Sequence, residues 1–224
     1  MSDPTLRRLN ADDLPALLAL HGAVMAALPD PGMFRLFGGA ESFLTSHFGA
    51  RGESLGLFSQ GQLLAYGSLT LPRAGDADNY AANLAWPAER AGRVALLSAA
   101  MVDPAHRGRG LHPALIQARL ELARERGAPE VLVRAAPANA QSRRSLLAHG
   151  FAVVWLGVQA EGSLRHVMWR PTQIAARKRD EHLHWAEADD LAGQQRLLAT
   201  GCIGVRMRLD DDAIGFAQAH LPAP

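Results

Sequence analysis

The sequence predicts an α+β fold, and three observations carry that expectation. Glu53 to Ser59 and Gln62 to Leu71 alternate in character on either side of Gln60-Gly61, the pattern of a β-hairpin. The unbroken apolar run Val94-Ala95-Leu96-Leu97-Ser98-Ala99-Ala100-Met101-Val102 reads as a strand buried on both faces. Asp103-Pro104 ends it, since proline cannot donate to a ladder and restricts the residue before it. A turn, Arg107-Gly108-Arg109-Gly110-Leu111-His112, then opens a helix from about Pro113 to Arg126. Its apolar stripe is Leu111, Leu115, Ala118 and Leu122, with Arg119, Glu121, Arg124 and Glu125 mostly off it.

The remaining elements follow in order. Leu6 to Leu9 reads as a short strand, and Asn10 caps a helix with Asp12 and Asp13 in its first turn, favourable at the positive end of the helix dipole. Leu28-Pro29-Asp30-Pro31-Gly32 breaks that helix. The cluster Met33 to Gly39 reads as core packing, and a short helix spans about Ala40 to Phe48. Arg73 to Arg93 shows no clean period and reads as a long loop, of a kind that tends to be functional or mobile. A second apolar run, Val131-Leu132-Val133, leads through Ala135-Ala136-Pro137-Ala138-Asn139 to a helix ending at His149-Gly150-Phe151. Gly150 suits the left-handed position after a helix. Ala152 to Val158 and Arg165 to Trp169 read as a closing hairpin.

The strand, glycine turn and helix start make an anion site. A helix N-terminus presents unpaired N–H groups and a partial positive charge. Gly108 and Gly110 let the backbone approach a phosphate, and Arg107 and Arg109 add charge. A dinucleotide-binding fingerprint fails for want of a third glycine and of an acidic residue ending a following strand, and a P-loop fails for want of Gly-Lys-Ser/Thr. The order of Arg107 and Gly110, then Asn139, then Gly150-Phe151 eleven and twelve residues later, resembles the GNAT superfamily of acetyl-CoA-dependent N-acetyltransferases. The resemblance implies a three-layer α/β/α arrangement about a mixed, mostly antiparallel sheet. It implies acetyl-CoA as co-substrate, held by Met101, Val102, Arg107, Gly108, Arg109, Gly110, Leu111, His112, Asn139 and Ser142. It also implies a primary amine acceptor attacking directly in a ternary complex, with the acetyl carbonyl held by a backbone N–H of the Met101 region.

Two departures bear on chemistry. His112 stands where the family has a small residue, and Leu146 stands where many members carry a tyrosine thought to protonate the thiolate. The glutamate that some relatives carry in the central strand is absent. A lysine-type amine costs roughly 4.6 kcal/mol to deprotonate at pH 7 and an α-amino group about 1, so a base matters more for the first. A thiolate needs only about 2 kcal/mol to leave at neutral pH. Asp78 and Glu89, together with Asp76, are the loop carboxylates available as base, and Tyr80 is a phenol in the same loop. The identity of the catalytic group stays open. A non-catalytic acyl-CoA-binding or regulatory module is the alternative that the missing acid and glutamate favour.

Bulk composition sets outer limits. The 224 residues are 48% hydrophobic and 20% charged with net charge +1, which suits a globular chain and gives no case for nucleic-acid binding. Cys202 is the only cysteine, which excludes an internal disulfide, and no metal is expected. No apolar leader follows Met1-Ser2-Asp3 and no run reaches membrane-spanning length, so a cytoplasmic enzyme is expected. The organisation expected is a catalytic domain at 1–172, a polar linker at 173–189 containing Arg177-Lys178-Arg179, and an appendage at 190–224. The appendage reads as a helix and a β-hairpin, Ile203 to Leu209 and Ile214 to Phe216, that docks on the sheet or pairs two subunits as a homodimer. Leu197-Leu198-Ala199 with Gly201 echoes Leu146-Leu147-Ala148 with Gly150.

Overall fold

The computed structural model describes residues 3–36, 38–49, 51–159, 162–173 and 182–218. The strands among them are β1 (Thr5–Arg8), β2 (Gly52–Ser59), β3 (Gln62–Thr70), β4 (Val94–Val102), β5 (Glu130–Ala135), β6 (Ala152–Val158), β7 (Leu164–Pro171), β8 (His184–Ala186), β9 (Cys202–Met207) and β10 (Ile214–Gln218). They form one sheet in the order β1-β2-β3-β4-β5-β7-β6-β9-β10-β8. Every pairing is antiparallel except β4 with β5. The fold is the expected mixed, mostly antiparallel one.

The hairpin between β2 and β3 turns at Gln60 and Gly61, which have φ of 51° and 78°. Two successive left-handed residues match the twist of the flanking strands. Helices α1 (Leu14–Ala26) and α2 (Ala40–Ser46) cover one face, where Leu17, Leu20, Val24 and Leu44 pack with Leu63, Tyr66 and Met101. Helices α4 (Leu111–Glu125) and α5 (Ala140–Ala148) cover the other, where Leu115, Ile116 and Leu147 pack with Leu55, Leu57, Leu97 and Val133. Asn10 caps a 3-10 turn, Ala11–Asp13, that leads into α1; its side chain accepts from the Asp12 N–H at 2.9 Å.

Three expectations need correction. The 73–93 segment is not structureless: it holds a 3-10 turn at Tyr80–Leu84 and the short helix α3 (Ala88–Ala91). Asn79, buried, pins it by donating to the Arg73 and Ala91 carbonyls and accepting from the Ala81 N–H. Helix α4 begins at Leu111 rather than Pro113, because Gly110 adopts the left-handed N-cap conformation. Leu209, expected to continue the alternation of β9, lies in the turn after it and is 73% exposed.

The C-terminal segment continues the sheet. Helix α6 (Leu191–Ala199) packs on β6 and β9, and Val153 of β6 pairs Gly204 of β9. A Cβ at Gly204 would lie 2.8 Å from Ile214 and 3.0 Å from Val153, so a glycine is needed for this close approach. The echoed pattern has the same local build twice. Asn139 caps α5 by accepting from the Ser142 N–H, Asp190 caps α6 by accepting from the Gly193 N–H, and each helix ends before a left-handed glycine, Gly150 or Gly201. The span expected as linker carries β8, which pairs with β10; Arg177-Lys178-Arg179 lies outside the described residues.

Candidate active site

The parallel pairing of β4 with β5 runs only from Val94 opposite Glu130 to Leu97 opposite Val133. Beyond it the strands part. On β4 the cause is a bulge: Leu69 pairs Leu97 and Ser68 pairs Ala99, which leaves Ser98 with no residue opposite. On β5 the chain turns away at Pro137 toward the α5 cap. The gap becomes a cavity of about 670 Å³ between β4, β5 and the starts of α4 and α5.

One mouth of the cavity is the N-terminus of α4. Arg107, Gly108, Gly110, Leu111 and His112 line it. Gly108 and Gly110 both have φ of +76°, and a Cβ at either would meet nothing within 4 Å, so the backbone is open to an approaching group. Gly110 has no side chain to cap the helix, which leaves its first N–H groups for an anion. Arg109 is the exception among the expected residues of this turn. Set between two left-handed glycines, it is exposed and does not line the cavity. His112 lines it, but burial and then the charges of Arg119 and His149 push its pKa down to about 4. It is therefore neutral at pH 7, able to donate one hydrogen bond without adding charge.

The walls place the other expected residues. Met101 and Val102 line the cavity; the Met101 side chain is buried against α1, so only its backbone can serve a ligand. Asn139 and Ser142 both line it, with the Asn139 oxygen already engaged as the α5 cap at 3.0 Å. Leu146, in the position of the family tyrosine, is buried and lines it as an apolar group.

The catalytic candidates from the long loop do not reach this cavity. Tyr80 is buried in a separate cluster with Val94, Leu96, Leu132, Val167 and Trp169, its ring covered by the Arg134 guanidinium at 4.5 Å. Glu89 is exposed on α3, and neither it nor Asp78 lines the cavity. The loop packs close by: Tyr80 sits under Arg134, which lines the cavity, yet Tyr80 itself does not line it. Tyr66, the other phenol, is fully buried in the core.

Sequence reading missed two features. Arg119, expected off the apolar stripe, is 2% exposed. Its guanidinium donates to the Leu115 carbonyl at 3.0 Å, to Ala99 at 2.9 Å and to Ser68 at 3.3 Å, so it braces both strands at the bulge. Burial lowers its pKa to about 10, which leaves it charged at neutral pH. A Cβ at Gly67 would come within 2.8 Å of Arg119, so that glycine makes its room. The second feature is Ser98, the sole hydroxyl of an apolar strand, which lines the cavity and hydrogen-bonds Thr70. Its isolation in the run was the available signal.

A second hollow of about 580 Å³ adjoins the cavity, sharing Met33, Arg35, Ala136 and Arg165 with it. Among the described residues, no group of three or more His, Cys, Asp or Glu could hold a metal ion, and no helix is long and apolar enough to cross a membrane.

Comparison with known proteins gives this geometry a family. The model of the acetyltransferase (GNAT) family matches residues 25–151, more than half of the chain. No curated protein matches. Among solved structures, a ribosomal-protein alanine N-acetyltransferase from Escherichia coli aligns with TM-score 0.55 at 20% identity, over 78% of this chain and 97% of its own. The acetyltransferase yncA of Salmonella typhimurium, crystallised with acetyl-CoA and described as putative, aligns with TM-score 0.56 at 21% identity, over 80% and 99%. The paiA N-acetyltransferase of Thermoplasma acidophilum, in complex with coenzyme A, aligns with TM-score 0.54 at 14% identity, over 76% and 99%. With its splayed β4 and β5 and a glycine turn opening α4 at the mouth of the gap, the chain belongs to the GNAT family of acetyl-CoA-dependent acetyltransferases.

Proposed function

We propose that the chain transfers the acetyl group of acetyl-CoA to a primary amine by direct attack in a ternary complex. The observation that carries this reading is the single cavity that runs from the α4 N-terminus to the β4 bulge. A pyrophosphate at the first N–H groups of α4 would be held by backbone donors and the helix dipole, with Arg107 adding charge. The pantetheine arm then lies between β4 and β5, with Val102 on one wall and Asn139, Ser142 and Leu146 on the other. Its polar amides meet strand edges that have no partner beyond Leu97 and Val133. Acetyl-CoA supplies the thioester; the chain orients it and excludes water around the reacting carbon.

The second hollow gives the acceptor its own approach, past Met33, Gly32 and Arg165, so donor and acceptor can be bound together. Cys202, the only thiol, is buried in the C-terminal segment with its Sγ 3.3 Å from Gln218 Oε1, and does not line the cavity. The reading is tested by thiol release from acetyl-CoA with a panel of free amino acids, short peptides with a free N-terminus, and spermidine. Turnover of at least one amine, absent without it, supports the reading. Tight acetyl-CoA binding with no turnover of any panel amine would favour an acyl-CoA-binding module.

A further inference from the structure

We propose that Ser98, Thr70 and His47 form a proton relay that takes the proton from the attacking amine, with Ser98 as the group that touches the acceptor. This rests on the reading that the acceptor is an amine. The three residues come from β4, β3 and the end of α2, and their side chains are joined in one chain of hydrogen bonds. Ser98 Oγ lies 2.5 Å from Thr70 Oγ1, and Thr70 Oγ1 lies 2.7 Å from His47 Nε2. His47 Nδ1 lies 2.8 Å from the Phe43 carbonyl. Thr70 and His47 are each 4% exposed, while Ser98 faces the cavity.

The direction of every proton in this chain is fixed by the groups at its closed end. A carbonyl only accepts, so Nδ1 of His47 carries the hydrogen. Ser46 Oγ, 3.0 Å from Nδ1, has its own hydrogen committed to the Phe43 carbonyl at 2.7 Å and so also accepts from Nδ1. Nε2 is then a lone pair, and Thr70 must donate to it. Thr70 has one hydrogen, so Ser98 must donate to Thr70. Ser98 is left presenting oxygen lone pairs to the cavity, at the bulge where β4 and β5 part. This is the arrangement of a hydroxyl polarised by a neutral imidazole through one intermediate hydroxyl.

Burial keeps the imidazole neutral and lowers its pKa; of the charges facing it, Asp78 raises and Arg51 lowers it, and the Phe43 ring lies 4.4 Å from its centroid. In the step proposed, the amine nitrogen forms a bond to the thioester carbonyl carbon, and its N–H becomes acidic as the bond forms. That proton passes to Ser98 Oγ as the Ser98 proton passes to Thr70 and the Thr70 proton to His47 Nε2. The C–S bond breaks with its electron pair on sulfur, and the thiolate takes a proton from water. The imidazolium returns its proton through the same hydroxyls to water in the emptied cavity. Amine and thioester become amide and thiol.

The test uses Thr70→Val, which keeps the shape and removes the hydroxyl, beside Thr70→Ser, which restores it, both in the full chain with acetyl-CoA and the fastest amine of the panel. Thr70→Val should lower kcat about 100-fold, the scale of a lost general base, with KM for acetyl-CoA within about twofold. Thr70→Ser should recover most of the rate. Below the His47 pKa, log kcat/KM of the parent should rise with pH at slope two, one proton from the amine and one from His47, and Thr70→Val should leave slope one. Undiminished kcat in Thr70→Val, or equal losses in both variants with slope two retained, would overturn the relay. If no panel amine turns over, the amine reading fails by itself, and nitrogen-15 spectra of His47 still decide the relay: a protonated Nε2 at pH 7.5 would overturn it, and a hydrogen-bonded lone pair there supports it.

Discussion

The β4 wall of the cleft and the β5 wall differ in how they are held. The β4 wall is braced by polar side chains from distant parts of the chain. Arg119 reaches across from α4 to two carbonyls at the bulge, and Thr70 and His47 back Ser98 from behind. The β5 wall is held by its neighbours. Behind it stand β7 and β6, and then β9, β10 and β8 of the C-terminal segment. Leu146 and Leu147 of α5 share one apolar cluster with Cys202, Met207, Ile214 and Phe216. One wall thus leans on buried hydrogen bonds, which are directional, from residues far along the chain. The other combines apolar area, which is not directional, with the side-chain bonds of Glu130 to Arg90 and Trp169 and of Arg134 to Gln159.

The largest effect expected from breaking this arrangement lies at the mouth, where the coenzyme is proposed to enter. Gly110→Asp puts a carboxylate where the proposed reading seats a phosphate, in a left-handed conformation that aspartate can adopt. Calorimetry with acetyl-CoA should show a loss of affinity of 100-fold or more, on the order of 3 kcal/mol, with the melting temperature little changed. Next comes the support of the β5 wall. Truncation after residue 189 removes α6, β9 and β10, bares the β6 edge and uncovers Val153 and Leu147. The truncated chain should aggregate or melt well below the parent, as size-exclusion chromatography and thermal denaturation would show.

A smaller effect concerns His166 on β7, which is fully buried and bonded through Nε2 to Gln194 of α6 at 2.8 Å. Burial, with Arg143 nearby, lowers its pKa from 6.5 to about 4. The unfolded chain therefore binds more protons than the folded chain between these values. The stability tied to neutral His166 is complete above pH 6.5 and is lost as the pH falls through about 4. His166→Gln should flatten the decline of melting temperature across that window. His112, shifted in the same direction, leaves part of the slope in place. The smallest effect is Cys202→Ala: the thiol lies outside the cavity, so turnover should match the parent within about twofold in the thiol-release assay, a change under roughly 0.5 kcal/mol.

The two walls also differed in how readable they were. Much of the cavity mouth at α4 is local chemistry. Proline ends β4, two glycines turn the chain, a helix begins, and neighbouring letters report it. The hairpin at Gln60-Gly61 and the cap at Asn10 were legible for the same reason. The β4 brace was not. Ser98 and Thr70 are 28 residues apart and Thr70 and His47 are 23, so no window of sequence holds them together. Arg119 was placed on the solvent face because charge on a helix reads as exposure, whereas here three carbonyls accept from its guanidinium and compensate its burial. The loop acids show the converse: Asp78 and Glu89 are near β4 in sequence, yet neither lines the cavity, because the loop folds into a 3-10 turn and a short helix of its own.

The measurement that tests the account most directly is intact-protein mass spectrometry after mixing the chain with acetyl-CoA alone, paired with initial rates at varied concentrations of acetyl-CoA and the amine. Direct attack in one cavity predicts an unmodified mass and intersecting double-reciprocal lines, both unchanged in Cys202→Ala. A chain heavier by one acetyl group that then passes it to the amine, with parallel lines, would contradict the account.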